Sequence, residues 1–395
     1  MNKLTHFNLN QQISNLEISK IRQFDDEVST FEPLIRLTLG QPDFPTPAHV
    51  KEAAKKAIDA DYSFYTSTAG DIKLREAASA FASVKYSLDY DPETEVIATV
   101  GATEALAVTL FTLLNPGDYV LTPSPFFSLY ESLVRMSQAV PVYIDTSESG
   151  FLVTPEQIEE TISTLDKIPK AVILNYPNNP TGMTWTADEA KAIALTLSNY
   201  PDLLAVSDEI YSELVYDSTH VSLGTYLREQ TIVINGLSKS HAMTGWRLGL
   251  IYAPSAIASE LVKTHQSLVT SASSITQYAG IEALTHGQDD ALPMKAAYKK
   301  RRDLVIKTLK DLNLVVTEPK GAFYIFSALP KGVGMDSYDF CYGLAETHQV
   351  AVIPGSAFGA AGEGYFRISY ASSLSDIKTA MDRLTRYVHD LRDLN

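Results

Sequence analysis

The chain has 395 residues, of which 45% are hydrophobic and 20% charged, a composition that indicates a globular protein and excludes collagen-like and low-complexity classes. Its 47 acidic and 32 basic side chains give a formal net charge of −15, which disfavours nucleic acid and anionic membranes as partners. The single cysteine, Cys341, excludes an internal disulfide and a cysteine-based metal site. At roughly 100–200 residues per domain, the length predicts two or three domains.

Neither targeting nor metal binding is indicated. The first residues, MNKLTHFNLNQQ, contain no apolar run of signal-peptide length, and no later run reaches the roughly 18 apolar residues of a membrane span. A lone cysteine is typical of a reducing compartment, so we expect a cytoplasmic enzyme. The eight histidines lack the paired spacing of metal sites, and no metal is expected.

The middle of the chain alternates short apolar runs with helical patterns. One helix is predicted from Gly101 onwards, because leucines recur at helical spacing before the Asn115-Pro-Gly-Asp118 stop. Alternation of this kind indicates an α/β fold with a parallel sheet between two layers of helices. The predicted strands are 95–100, 119–123, 171–177, 203–209 and 231–238.

The two ends of the chain are expected to fold together. Residues 1–48 form an N-terminal arm with a Gly- and Pro-rich loop, and the first helix is expected only after residue 48. Residues 49–289 form the large domain. Residues 290–395 contain a long charged helix, short strands and a final amphipathic helix, and they join the arm in a smaller α+β domain.

Three predicted strands end in polar clusters. These are Asn178–Gly182, Asp208–Tyr211 and Ser238–Ser240. Open α/β sheets bind ligands beyond the carboxyl ends of their strands, and all three clusters fall there.

Lys239 is a candidate nucleophile. A lysine in a serine-rich loop is usually only solvated. Lys239, however, directly follows a predicted apolar strand, and Arg247 comes eight residues later. A desolvated lysine has a lowered amine pKa and attacks carbonyl groups as the free base.

Asp208 ends a very apolar strand, where a buried carboxylate needs a donor or a cation. It is either a structural cap or ion pair, or the partner of a protonated ring nitrogen. Tyr211, three residues later, would project to the same side if a helical turn follows.

A phosphate site is indicated where a strand ends and a helix begins, at Gly101-Ala102-Thr103, although a plain helix start capped by Thr103 has the same pattern. Together, a carbonyl-binding lysine, a carboxylate for a pyridinium, and an arginine with a helix N-terminus for a phosphate describe a pyridoxal 5′-phosphate (PLP) site.

The chain resembles the fold-type I, PLP-dependent class I/II aminotransferases over essentially its whole length. Within that family it is most similar to bacterial aromatic-amino-acid and N-acetyl-LL-diaminopimelate aminotransferases. The resemblance implies a large domain with a mostly parallel mixed sheet between helices, a smaller α+β domain, and EC 2.6.1.- activity by a ping-pong mechanism. The matching stretches are, in order, LTLGQPDFPTP, YTSTAGDIKLREA, TVGATEAL, NYPNNPTG, SDEIYSEL, NGLSKSHAMTGWRLG, GAFYIF, IPGSAFG and FRISYA.

The resemblance implies a role for each residue that matches a family motif. Lys239 would bind the cofactor aldehyde, Asp208 would pair with the pyridine nitrogen, and Tyr211 would hydrogen-bond the phenolic oxygen; these three are the expected catalytic residues. Phe127, rather than Phe126, would stack on the ring. The expected cofactor-binding residues are Tyr65, Ala102, Thr103, Phe127, Asn179, Asp208, Tyr211, Ser238, Lys239 and Arg247.

The resemblance also implies how substrate and subunits meet. Arg367 would grip the substrate α-carboxylate, with help from Asn179 and the backbone of Gly40. Tyr65 matches a tyrosine that reaches the phosphate of the neighbouring subunit, which implies a homodimer with shared active sites.

Some positions depart from the family pattern. Gly236 replaces a serine found in many relatives, which removes one phosphate ligand. Residues 255–280 contain no arginine to clamp a dicarboxylic side chain, only Lys263, which disfavours a dedicated aspartate enzyme. We therefore expect an aromatic amino donor with 2-oxoglutarate as acceptor, and the alternative donor is N-acetyl-LL-diaminopimelate.

Two other functions fit the same fold. A PLP-dependent C–S β-lyase would share Lys239, Asp208 and Arg367, because fold does not fix reaction. A non-enzymatic PLP-binding regulator would carry an added DNA-binding domain, for which the 48 residues before the first predicted helix leave no room.

Overall fold

The structure is a computed structural model that describes residues 9–393, so the first eight residues of the predicted arm and the last two of the chain lie outside the described part. Among residues 9–393, no helix combines the length and the apolarity needed to cross a bilayer. The helices are α1 (Gln11–Ser14), α2 (Lys20–Glu27), α3 (Ala48–Asp59), α4 (Ile72–Tyr86), α5 (Gly101–Leu113), α6 (Leu129–Met136), α7 (Pro155–Ser163), α8 (Ala187–Ser198), α9 (Leu237–Ser240), α10 (Ser255–Val269), α11 (Ser274–His286), α12 (Ala291–Asp311), α13 (Ser337–His348) and α14 (Leu374–Asp393). The strands are β1 (Ile35–Arg36), β2 (Val96–Thr99), β3 (Tyr119–Ser124), β4 (Val140–Asp145), β5 (Ala171–Asn175), β6 (Leu204–Asp208), β7 (Thr231–Gly236), β8 (Gly249–Tyr252), β9 (Val316–Thr317), β10 (Tyr324–Ala328), β11 (Val350–Ala351), β12 (Ile353–Pro354) and β13 (Tyr365–Ser369).

A seven-stranded sheet forms the centre of the larger part, in the order β2-β8-β7-β6-β5-β3-β4. Strand β8 runs antiparallel to both of its neighbours, and the other pairs are parallel. The predicted fold class, a mostly parallel mixed sheet between helices, is confirmed.

Alternate residues of the central strands pack into different hydrophobic clusters. Ile232 and Ile234 join the cluster made with α5, α6 and α10, whereas Val233 joins the one made with α3, α4 and α11. Because side chains alternate across a strand, both faces of the sheet are buried, which explains why these strands are apolar throughout.

The N-terminal segment packs with the C-terminal part of the chain. Strand β1 pairs with β11 in parallel, and β12, β13, β10 and β9 form an antiparallel sheet. Phe24 and Leu37 share one buried cluster with residues of α12, α13 and α14. The expectation that the first helix follows residue 48 is wrong, because α1 and α2 precede it.

The topology brings the polar strand ends together. Asn175 and Asp208 are paired residues at the ends of the neighbouring strands β5 and β6. Strand β7 ends at Gly236, two residues earlier than predicted, and the short helix α9 carries Lys239 immediately after it. The N-terminus of α5 follows β2, so these groups meet at one edge of the sheet.

Candidate active site

One cavity of about 780 Å³ lies between the sheet edge and the smaller part of the molecule. Every predicted cofactor or substrate residue except Tyr65 lines it. The lining residues that the sequence predicts are Gly40, Ala102, Thr103, Phe127, Asn179, Asp208, Tyr211, Ser238, Lys239, Arg247 and Arg367.

The amine of Lys239 is desolvated inside this cavity. Its Nζ donates a hydrogen bond to the carbonyl oxygen of Gly40 at 2.6 Å and lies 5.8 Å from the ring centre of Tyr211. Burial lowers the pKa of the Lys239 amine to about 8; Arg247 and Arg367 act in the same direction, and Asp208 opposes them. About one amine in ten is therefore the free base at pH 7.

Asp208 is a buried carboxylate with two donors. Its side chain accepts a hydrogen bond from the Tyr130 hydroxyl at 2.7 Å and one from the backbone N–H of Ile210 at 3.3 Å. Burial raises the pKa of Asp208 to about 6, although these hydrogen bonds and Lys239 favour the ionised form. At neutral pH the carboxyl group is still mostly ionised, and it can accept a hydrogen bond from a protonated nitrogen.

Tyr211 and Asn179 line the cavity, and hydrogen bonds hold both of them. The hydroxyl of Tyr211 lies 2.8 Å from that of Tyr324. The backbone N–H of Asn179 donates to the side-chain oxygen of Asn175 at 2.9 Å, and the amide of Asn175 donates to the carbonyl of Asp208. The residues after Asp208 form turns and not the regular helix considered from the sequence, yet Tyr211 still faces the cavity.

Arg367 is a fully buried guanidinium at the cavity wall. Its Nη1 donates to Asn179 Oδ1 at 2.8 Å and its Nη2 to the carbonyl oxygen of Thr38 at 2.6 Å. Its Nε has no hydrogen-bond partner among the described residues, and its face covers the ring of Tyr324. Arg367 lines the cavity, and the planar donor set of a guanidinium suits an incoming carboxylate.

The N-terminus of α5 is shaped as an anion cradle. Gly101 has φ +80°, and a Cβ there would lie 2.5 Å from a guanidinium nitrogen of Arg247. A Cβ on Gly249 would lie 2.4 Å from the carbonyl carbon of Gly101. The chain thus needs glycine at both positions to bring backbone N–H groups, Arg247 and Ser238 around one point.

Close packing also explains why residue 236 is a glycine. A Cβ at this position would lie 2.7 Å from the carbonyl oxygen of Leu248. The close approach of β7 and β8 therefore favours glycine at position 236.

The two adjacent phenylalanines have different surroundings. Phe127 lines the cavity, with its ring edge-on to Tyr130 at 5.8 Å, whereas Phe126 is buried and stacks on Tyr143.

His241 points away from the cavity, because its Nε2 contacts the carbonyl oxygen of Gly287 at 2.9 Å. Tyr65 is 84% exposed and does not line the cavity of its own chain.

Sequence reasoning missed several functional neighbours. Tyr130 holds Asp208, Asn175 links Asn179 to β6, and Tyr324 supports both Tyr211 and Arg367. Asn175 ends its strand just as Asp208 does, and this signal could have found it. Tyr130 lies within an amphipathic helix, where its pattern is that of an ordinary core residue.

The chemistry of these groups fits PLP. The cavity offers a low-pKa amine for the aldehyde, a buried carboxylate for the pyridine nitrogen, hydroxyl and amide groups for the phenolic oxygen, and a glycine cradle with an arginine for the phosphate.

Comparisons with known proteins agree with this assignment. Residues 32–384 match the family described as aminotransferase class I and II. A probable N-acetyl-LL-diaminopimelate aminotransferase of Bacillus subtilis is 47% identical over 385 residues, covering 98% of this chain and 97% of the relative. An aspartate aminotransferase of Pyrococcus horikoshii is 40% identical over 381 residues, covering 95% of this chain and 96% of the relative.

A solved structure shares the fold. The crystal structure of an aromatic aminotransferase from Pyrococcus horikoshii has a TM-score of 0.87 and 36% identity, covering 94% of this chain and all of that one. The predicted family, the enzyme class and the PLP cofactor are thereby confirmed. The chain belongs to the aminotransferase class I and II family, whose enzymes depend on PLP.

Proposed function

We propose that the protein moves an amino group from an L-amino acid to a 2-oxo acid in two half-reactions, with Lys239, Asp208 and Arg367 as its central residues. One observation carries the proposal: an amine, a carboxylate and a guanidinium from three separate segments line a single cavity of about 780 Å³. The bound cofactor would supply an electron-withdrawing ring that makes the Cα–H of the substrate more acidic.

Arg367 fixes the orientation of the substrate. Its Nη1 and Nη2 are held by Asn179 and Thr38, and the residue lines the cavity where the α-carboxylate of the incoming acid would bind. A planar guanidinium binds a carboxylate in one defined plane, so the Cα–H is presented in a fixed direction. Arg367 and Thr38 belong to the smaller part of the molecule, and a bound carboxylate would draw that part closed and exclude water.

Lys239 holds and moves the proton at the substrate Cα. Its amine is desolvated, and its lowered pKa of about 8 leaves a usable fraction of free base at neutral pH. Asp208 would keep the ring nitrogen of bound PLP protonated, and Tyr130 favours the ionised form of Asp208 through its hydrogen bond of 2.7 Å. Tyr211 and Asn179 would donate hydrogen bonds to the phenolic oxygen of bound PLP.

We assign an aromatic amino acid as the donor and 2-oxoglutarate as the acceptor. The apolar side chains of Ile21, Leu39 and Leu106 line the cavity and suit a large apolar substituent. N-acetyl-LL-diaminopimelate is the second candidate, supported by the 47% identity to the Bacillus subtilis relative.

The active unit is a cytoplasmic homodimer in this proposal. Tyr65 and Phe64 are 84% and 81% exposed and adjacent, which is unusual for aromatic side chains with no partner surface. Tyr65 would reach the phosphate in the second subunit. Sedimentation should give twice the chain mass, and Tyr65→Phe should weaken PLP binding without changing that mass; a monomer with full activity would contradict this assignment.

A donor panel tests the reaction. Purified protein is incubated with aromatic amino acids, aspartate or N-acetyl-LL-diaminopimelate, each with pyruvate or 2-oxoglutarate, and the new amino acid is quantified. Stoichiometric amino transfer supports the proposal, and the best donor identifies the substrate. Release of ammonia and pyruvate from a cysteine conjugate without any acceptor would instead establish the β-lyase alternative.

A further inference from the structure

Arg22 is a cationic side chain of the cavity to which the proposed mechanism gives no task. It belongs to α2 and lines the same cavity as Lys239 and Arg367. It is exposed, and while its backbone N–H donates to Ser19, its guanidinium forms no hydrogen bond or ion pair with the part of the chain from residue 9 to residue 393. A cation in a substrate cavity without an internal partner is available to a ligand.

The position of Arg22 is tied to the site through the next turn of its helix. Asp25 accepts hydrogen bonds from Thr38 Oγ1 at 2.6 Å and from Arg36 Nη1 at 3.2 Å. The carbonyl oxygen of Thr38 in turn accepts the Nη2 of Arg367 at 2.6 Å. Residues i and i+3 share a helix face, so Arg22 lies one turn from the side chain that anchors the Arg367 segment.

Apart from Asp26, the other charged side chains of the cavity have a partner or a task in the proposed mechanism. Lys239, Arg247 and Arg367 face the aldehyde, the phosphate and the α-carboxylate in the proposed mechanism. Asp25 is neutralised by Arg36. Asp26 lies four residues after Arg22, at the spacing of a helical ion pair, but the two do not form one. The guanidinium of Arg22 therefore remains free for an anionic substrate group, and its planar fork suits a carboxylate.

We infer that Arg22 binds the second, distal carboxylate of the substrate, so that the cavity accepts dicarboxylic amino and 2-oxo acids. The inference rests on the proposed function, because it uses the same cavity and gives Arg367 the α-carboxylate. Arg22 would take the place of the clamping arginine that residues 255–280 lack. Lys263 cannot serve, since it does not line the cavity and pairs with Glu260 on its own helix at 2.6 Å.

The role of Arg22 applies to two of the candidate substrates. 2-Oxoglutarate and N-acetyl-LL-diaminopimelate both carry a carboxylate at the far end of the chain, whereas aromatic amino acids do not. Arg22 on a surface helix could therefore bind the acceptor in one half-reaction and leave the apolar wall to an aromatic donor in the other.

A matched pair of 2-oxo acids tests the inference. 2-Oxoglutarate and 2-oxovalerate have the same chain length and differ in the distal carboxylate. In Arg22→Gln holoenzyme, kcat/KM for 2-oxoglutarate should fall by about tenfold or more, the loss expected for one charge-assisted hydrogen bond, while kcat/KM for 2-oxovalerate should stay within about twofold. Arg22→Lys should restore part of the loss, and Lys20→Gln, the same charge change on the same helix outside the cavity, should have no effect.

Binding without turnover separates this inference from the proposed function. The Kd of glutarate, measured by calorimetry with holoenzyme, should rise by about tenfold in Arg22→Gln, and the Kd of butyrate should not change. An equal loss for both oxo acids, or an unchanged glutarate Kd, would overturn the role of Arg22 while leaving the aminotransferase intact. Failure to transaminate any donor, with glutarate binding still dependent on Arg22, would overturn the proposed function alone.

Discussion

Removing the hydroxyl of Tyr130 should raise the pKa of Asp208. The hydrogen bond from Tyr130 to the carboxylate is 2.7 Å long, and both residues are buried. A hydrogen bond to a charged group contributes about 1.5–3 kcal/mol. At about 1.4 kcal/mol per pH unit, Tyr130→Phe should move the Asp208 titration up by about one to two pH units. The remaining hydrogen bond, from the Ile210 N–H at 3.3 Å, is too long to compensate for this loss.

The sign of the stability effect follows from the same shift. The pKa of Asp208 is raised from 3.8 to about 6, so the cofactor-free protein binds more protons at this site when folded than when unfolded. Its free energy of unfolding should therefore fall as pH rises between about 4 and 6, by about 3 kcal/mol from this group. In Tyr130→Phe the decrease should continue above pH 6.

Infrared titration of cofactor-free protein measures the effect directly. The band of the protonated carboxyl is assigned by its loss in Asp208→Asn, and its midpoint is compared between wild type and Tyr130→Phe. Tyr90→Phe is the matched control, because the Tyr90 hydroxyl is buried with no hydrogen-bond partner in the described chain. An unchanged midpoint in Tyr130→Phe, or an equal shift in Tyr90→Phe, would refute the assignment of Tyr130.

Three further predictions concern the same cavity. Gly249→Ala should raise the Kd for PLP by at least about tenfold, because its Cβ would lie 2.4 Å from backbone. A Kd equal to that of the unmodified protein would contradict the cradle. Arg367→Ala should raise the KM of both amino donor and 2-oxo acid by about ten- to hundredfold with PLP still bound, and an unchanged KM would remove the arginine from carboxylate binding. The rate of PLP capture by cofactor-free protein, followed by stopped-flow absorbance, should increase with pH and level off near the Lys239 pKa of about 8; an increase that continues to pH 10 would show an ordinary solvated lysine.

The sequence predicted the groups that lie at the ends of buried strands. Lys239, Asp208 and Asn179 follow apolar runs, and the carboxyl ends of parallel strands meet at one edge, so their proximity follows from topology. The phosphate cradle was visible as a strand followed by a glycine-led helix. The glycine at 249 was not, because its need arises only from contact with a segment almost 150 residues away.

Two strands of the large sheet escaped prediction for different physical reasons. Strand β4 contains Pro141 and is half exposed, a pattern that argues against a central strand; it lies at the sheet edge, where a proline is tolerated. Strand β8 has only four residues, so it is too short for a periodicity signal.

The N-terminal helix α2 shows where tertiary contacts decide structure. Its eight residues are mostly polar, Ser19 makes no side-chain cap, and Phe24 is its one buried residue. The hydrogen bonds that Asp25 accepts from Arg36 and Thr38, and the packing of Phe24 on the smaller part, hold it in place. Propensity alone is too weak to predict such a helix, and Arg22 was therefore missed as a cavity residue.

Covalent capture of PLP at Lys239 tests the central claim most directly. Purified protein incubated with PLP is reduced with borohydride and digested, and the peptides are sequenced by mass spectrometry. We predict one pyridoxyl phosphate group per chain on Lys239, and none on the peptide of Lys239→Ala. Colourless protein, or modification spread over exposed lysines with Lys239 unmodified, would contradict the account.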